Sequence, residues 1–501
     1  MITFRANRHS AGQAYQPADI PCTTLVPLQG GKAGLLFSGK GFRKRFGQSL
    51  FPHFDQRFMR CLIQRRHGTS CRQLPGQHPA MNAAERKILA CVEDLKPEIT
   101  DFAARLVSQA STIGNEEGAL LTFESEMQRL GFHTHRVHID PAALANHEGF
   151  APVPWNQEGK FNVVATRPAD APGGRSALLN GHLDVVSPEP LGLWESDPFV
   201  PFVRDGWLYG RGSGDMKAGI ASMTYAVKAI EEAGMGLKAA VILEGVVEEE
   251  CSGNGTLACL AAGYDADAVL IPEPFGPSLL IAQLGVAWFK VRVSGVPCHV
   301  LEAGEGVNAI EACFPIMQAL HRLENEINED ARPPFDPKNR PAHLNIGIIR
   351  GGDWPSTVPA EAEFHCRIGF LPGTTYEEIR RRVLACVAGA AANDRRLSKN
   401  PPRVEFYGFR SEGFIQKRDT LPLVLLNDCH KELSGRDALP YVSTATTDAR
   451  VFHAYGRGIA TCFGPVAENI HGANERVQIG SVLHTAKVYA LFLCRWCGLC
   501  S

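Results

Sequence analysis

One pattern constrains this chain more than any other: apolar, strand-like runs that stop at a histidine or a carboxylate. SALLNGH ends at His182, and Asp184 follows on the same side of an extended chain because strand side chains alternate with a period of two. AAVILEGVVEEE ends in Glu248, Glu249 and Glu250, and DADAVLIPEP ends at Glu273 between two prolines. Between these runs the glycine-rich turn GRGSGD delivers Asp215 to the mouth of the helical pattern MKAGIASMTYAVKAIEEA. Strands alternating with helices, each strand emptying polar residues at its C-terminal end, describe an α/β domain with a mostly parallel sheet and a site at the carboxyl ends of the strands.

The spacing predicts two helices between about Ala83 and Leu130, and a short hairpin around Asp205-Gly206. From about Val286 the texture changes: VAWFKVRVSG, a long helix, AHLNIGIIRGG, AEAEFHCRIGF, a second helix and RVEFYGF give the order β-α-β-β-α-β. That is the order of a ferredoxin-like α+β domain with an antiparallel sheet. It reads as an insertion at 286–408 between catalytic segments 81–285 and 409–501.

Formal net charge is −2, which argues against nucleic acid or an anionic membrane as the main partner. Residues 1–80 differ in kind, being Arg-rich and acid-poor with no sustained period, and are expected to be disordered, a targeting segment, or upstream of a functional start at Met81. The 15 cysteines are scattered and reduced thiols are the default, which with the absence of an apolar run of membrane-spanning length points to a cytoplasmic protein. Cys494, Cys497 and Cys500 have metal-like spacing but no fourth ligand nearby.

A single acid or histidine in a loop is ordinarily just solvated. Here His182, Asp184, Asp215, Glu248, Glu249, Glu250 and Glu273, joined by His471 in NIHGANERV, converge from separate strand ends and would repel one another without cations among them. Mixed His and carboxylate ligands suit zinc or cobalt, and two such ions sharing a carboxylate generate a nucleophile from water.

GHLDVV, GRGSGDMKAG, EEECSGNG, IPEP and NIHGANE, in that order, resemble the dinuclear-zinc exopeptidase and deacylase family of acetylornithine deacetylase and succinyl-diaminopimelate desuccinylase. The resemblance spans residues 85–496. It implies that His182 and Glu273 ligate one metal, Glu250 and His471 the other, that Asp215 bridges them, and that the Asp215–Met216 peptide is cis. It implies Asp184 as the carboxylate orienting His182, and Glu249 as the base that moves a proton from water to the leaving amine. It further implies a homodimer in which His299 reaches an active site, and anchors for a substrate carboxylate at Asn345, Arg367 and Arg450. The expected activity is hydrolysis of a small N-acyl amino acid such as N-acetylornithine. Formylaminopyrimidine deformylation is the closest alternative, and dipeptidase or carboxypeptidase action comes third.

Overall fold

In a computed structural model the structure describes residues 81–398 and 400–500. The expectations for residues 1–80 lie outside the described residues. The helix Ala83–Asp94 opens on a capping box, with Asn82 Oδ1 accepting from Glu85 N at 2.9 Å and Glu85 Oε2 accepting from Asn82 N at 2.8 Å. Three helices, not two, fill 83–130: Ala83–Asp94, Lys96–Val107 and Glu117–Arg129. Pro97 is the reason for the extra break, because it cannot donate into a continuing helix yet suits the first turn of a new one.

The main sheet has six strands in the order His133–His138, Phe161–Arg167, Val241–Val246, Ala177–His182, Ala268–Ile271, Ile459–Cys462. The last four run parallel and the first two pairings are antiparallel, so Phe161–Arg167 alone runs against the other five: the sheet is mostly parallel, as the sequence suggested, but mixed. ALLNGH is buried at all six positions, as a parallel strand covered on both faces must be, whereas the edge strand HTHRVH is largely exposed. The helices Ala218–Glu232 and Ile479–Cys497 share one apolar core with this sheet. The edge strand Ile459–Cys462 completes it from the C-terminal end of the chain.

A second sheet is antiparallel, in the order Leu344–Gly351, Glu361–Phe370, Gly285–Ser294, Arg403–Ser411. The helices Ala309–Glu329 and Tyr376–Ala392 close a separate core against it. Arg403–Ser411 runs through Gly408, and between Ala287 and Phe289 its pairing shifts, so Tyr407, Gly408 and Phe409 bulge opposite Trp288. Gly408 has φ 62°, a conformation that glycine adopts without strain. The predicted hairpin forms between Phe202–Arg204 and Trp207–Tyr209, with Asp205 and Gly206 both at positive φ, as a tight two-residue turn requires. Among the described residues no helix is long and apolar enough to cross a membrane.

Candidate metal centre

The parallel strands end side by side: His182 is the register partner of Val246, so the His182 loop and the Glu248–Glu250 turn leave the sheet at one level. His182 Nε2 lies 3.0 Å from Asp215 Oδ1, and His471 Nε2 lies 3.5 Å from Asp215 Oδ2 and 3.0 Å from Glu250 Oε1. Asp215 thus stands between the two imidazoles. His182, Asp215 and Glu273 form one group whose ligand atoms all lie within 4.8 Å of one another, Asp215, Glu250 and His471 form a second, and His182, Glu249 and Glu250 form a third between them. The Asp215–Met216 peptide is cis.

The charge balance of this cluster calls for cations. Burial, together with the neighbouring carboxylates, pushes Glu249 and Glu273 well above the usual carboxylate range. Burial would lower His182, but its hydrogen bond with Asp215 and the charge of Glu249 prevail and raise it well above its ordinary value. Four acids in so small a volume need protons or metal ions among them, and two His-carboxylate triads sharing one carboxylate are a donor set suited to a pair of divalent ions.

The triple-Glu run divides sharply. Glu248, at φ 66°, is fully buried away from the cluster, where its carboxylate accepts from Trp155 Nε1 (2.9 Å), Gln157 Nε2 (2.8 Å) and Ser252 Oγ (2.6 Å). Glu249 and Glu250 face the site, Glu249 Oε2 lying 4.0 Å from His182 Nε2. Asp184 differs from its expected part. The close partner of His182 Nδ1 is the backbone carbonyl of Asp184, at 2.9 Å, while the carboxylate stands 3.7 Å off. That carboxylate accepts instead from the backbone N–H groups of Glu249 (3.3 Å) and Glu250 (3.1 Å), pinning the turn that carries them.

One residue escaped sequence reasoning. Glu475, 1% exposed, accepts from Arg211 Nη1 (2.6 Å) and from the backbone N–H groups of Gly212 (2.9 Å), Gly214 (2.9 Å) and Asp215 (3.0 Å). It fixes the GRGSGD turn from the loop that also carries His471. The available signal was the turn itself, whose clustered N–H groups need an acceptor once buried. Lys217 is buried behind the turn, donates to Gln109 O at 2.8 Å, and burial pushes its amine down to about 7.

The substrate candidates separate in position. Asn345 and Arg367 are direct cross-strand partners, and Arg367 Nη2 donates to Thr444 O at 2.9 Å. Arg450 is buried and engaged: it donates to Thr447 O (3.0 Å), Thr446 Oγ1 (3.3 Å) and Ser252 O (3.2 Å), so its guanidinium braces the turn after Glu250. His299 is exposed on the second sheet's loop, where its Nδ1 accepts from Leu301 N at 3.2 Å, and it joins neither group.

A mixed α/β sheet whose strand ends gather histidines and acids, beside an antiparallel sheet with its own core, is an arrangement suited to metal-assisted hydrolysis. Residues 178–495 match the peptidase family M20/M25/M40, and the chain belongs to that family. It is 28% identical over 435 residues to an N-formyl-4-amino-5-aminomethyl-2-methylpyrimidine deformylase of Bacillus subtilis (strain 168), covering 81% of this chain and 96% of that one. It is also 28% identical over 415 residues to a succinyl-diaminopimelate desuccinylase of Paracoccus denitrificans, covering 80% and 98% respectively. Its fold is similar to that of human carnosine dipeptidase 1, with a TM-score of 0.66 at 16% identity over 84% of this chain and 100% of that one.

Proposed function

We propose that this centre holds two divalent ions, zinc or cobalt, and hydrolyses the amide bond of a small N-acylated amine. The observation that carries the reading is the pair of ligand groups sharing Asp215. His182 and Glu273 would hold one ion, Glu250 and His471 the other, with Asp215 common to both. Ions bound there supply Lewis-acid polarisation of the carbonyl and acidify water. Glu249 is the general base: buried beside His182, it takes a proton from the attacking water and passes it to the leaving nitrogen. Asp184 and Glu475 hold the two turns that carry Glu249, Glu250 and Asp215 in place.

The inserted domain is assigned as lid and dimerisation domain. Its edge strand Leu344–Gly351 leaves Ile348 and Ile349 exposed, which suits pairing with a second copy in a homodimer. His299, exposed and away from its own cluster, is assigned to the active site of that second copy. Asn345 and Arg367 are assigned to the substrate, while the engaged Arg450 acts by bracing the Glu250 turn. The free state of every described cysteine suits a cytoplasmic enzyme. An N-acyl amino acid such as N-acetylornithine is one substrate type, the alternative being a formylated aminopyrimidine, which the deformylase relative favours; dipeptides come third. A rate panel of N-acetyl, N-formyl and N-succinyl amines against dipeptides tests the reading, and absence of hydrolysis across the panel with metal supplied would overturn it.

A further inference from the structure

The bulge at Gly408 organises a row of side chains in which Trp288 and Tyr407, unused in the proposed mechanism, stand beside Arg367 and Asn345. Across the open face of the second sheet, Asn345 pairs with Arg367 and Arg367 with Trp288, and Trp288 lies opposite the bulged Tyr407–Phe409 segment. The four strands therefore place an amide, a guanidinium, an indole and a phenol at one level. Trp288 is fixed by edge-to-face contacts to Phe409 (5.0 Å) and Tyr407 (5.9 Å), and Tyr407 is fixed in turn by His365 Nδ1, 2.5 Å from its hydroxyl.

Contacts from Gly408, Phe409 and Arg367 set this row against the loops beside the metal centre. Gly408 N donates to Pro152 O at 2.8 Å, and a Cβ on Gly408 would stand 2.8 Å from both Cys251 O and Trp288 Cε3. Only a bare backbone lets the bulge and the indole approach the residue that follows Glu250. Phe409 lies under the Arg450 guanidinium, 5.0 Å from ring centre to Cζ, and Arg450 holds Ser252 O in the same turn. Arg367 reaches Thr444 O from the other side.

The row is also short of partners. Trp288 is half-buried, and its indole N–H has no hydrogen bond among the described residues. Arg367 has no carboxylate partner there, its one hydrogen bond going to a backbone carbonyl. A half-covered indole beside donors open to solvent fits a flat ring that stacks on the tryptophan and carries acceptor atoms at its edge.

We propose that Trp288, supported by Tyr407 and flanked by Arg367 and Asn345, is a specificity subsite for a planar aromatic or heteroaromatic ring in the amine half of the substrate. This rests on the amide-hydrolase reading for its chemistry, though the ring subsite can be read by binding alone. The test uses the full chain loaded with zinc and a matched pair of compounds, N-formylbenzylamine and N-formyl(cyclohexylmethyl)amine, alike in size but planar and puckered. The planar compound should be favoured in kcat/KM by about three- to tenfold, the span of one aromatic contact. Trp288→Leu should bring the ratio to about one, and Trp288→Phe should restore part of it, which a folding defect would not do. Calorimetric binding of the two free amines reads the subsite without turnover. Preferential benzylamine binding that Trp288→Leu removes, with neither formamide hydrolysed, would overturn the hydrolase reading and keep the subsite. Equal binding of the two amines, or a planar preference untouched by Trp288→Leu, would overturn the subsite.

Discussion

Replacing Glu475 by Gln removes one acceptor oxygen from a carboxylate that serves four donors. Oε1 accepts from Gly214 N and Asp215 N, and Oε2 from Arg211 Nη1 and Gly212 N, so whichever end becomes the amide faces two N–H groups it cannot accept. Each buried donor left unpaired costs about 1–3 kcal/mol. Arg211, 2% exposed, also loses its counter-charge, and breaking a buried pair costs about 3–5 kcal/mol. These losses overlap, and about 3–5 kcal/mol is the expected total in denaturant unfolding. Because the turn carries Asp215, metal affinity should also fall, by about 10- to 100-fold, as for other residues that orient ligands. Equilibrium dialysis against zinc with elemental analysis reads the second effect. A Glu475→Gln protein with unchanged unfolding free energy and unchanged zinc affinity would refute the clamp.

Glu249→Gln should keep its metal and lose hydrolysis by roughly 10²- to 10⁴-fold, measured as kcat; full activity would remove the base assignment. Arg450→Lys should lower kcat through the loosened Glu250 turn with little change in KM, whereas a role in gripping substrate would appear as a raised KM. Burial raises Glu126, but hydrogen bonds from Arg129, Tyr225 and Arg105 outweigh it and bring its carboxyl to about 2. A depressed folded-state value contributes stability that is present above the ordinary carboxylate pKa and lost as pH falls towards 2. Glu126→Gln should therefore cost about 2 kcal/mol at neutral pH, with the gap to the parent protein closing below about pH 4 in unfolding titrations. An equal gap at every pH would count against the charged cluster.

Much of the site was legible because its members share a position in the fold. His182 and Glu273 end parallel strands, and Glu249 and Glu250 follow one, so the apolar-to-polar switch marks them. Glu475 was not legible because its partners are backbone N–H groups some 260 residues earlier in the chain, and backbone donors leave no residue-type signature. Arg450 and Arg367 look alike in sequence, each an arginine able to grip a carboxylate; only the fold buries Arg450 among three acceptors of its own chain and leaves Arg367 half-buried with one. Asp184 was visible as a neighbour of His182, but its carboxylate turns to the Glu249 and Glu250 amides, a choice set by loop geometry. The one reversed strand, Phe161–Arg167, went unread because strand direction depends on the connections, which hydrophobic patterning does not encode.

Paired metal ions sharing Asp215 are tested most directly by following hydrolysis of an N-acyl amine while zinc is returned to chelated protein. Activity should be absent without metal and rise to a plateau at about two ions per chain. Full hydrolysis by protein stripped to well below one ion per chain would contradict it.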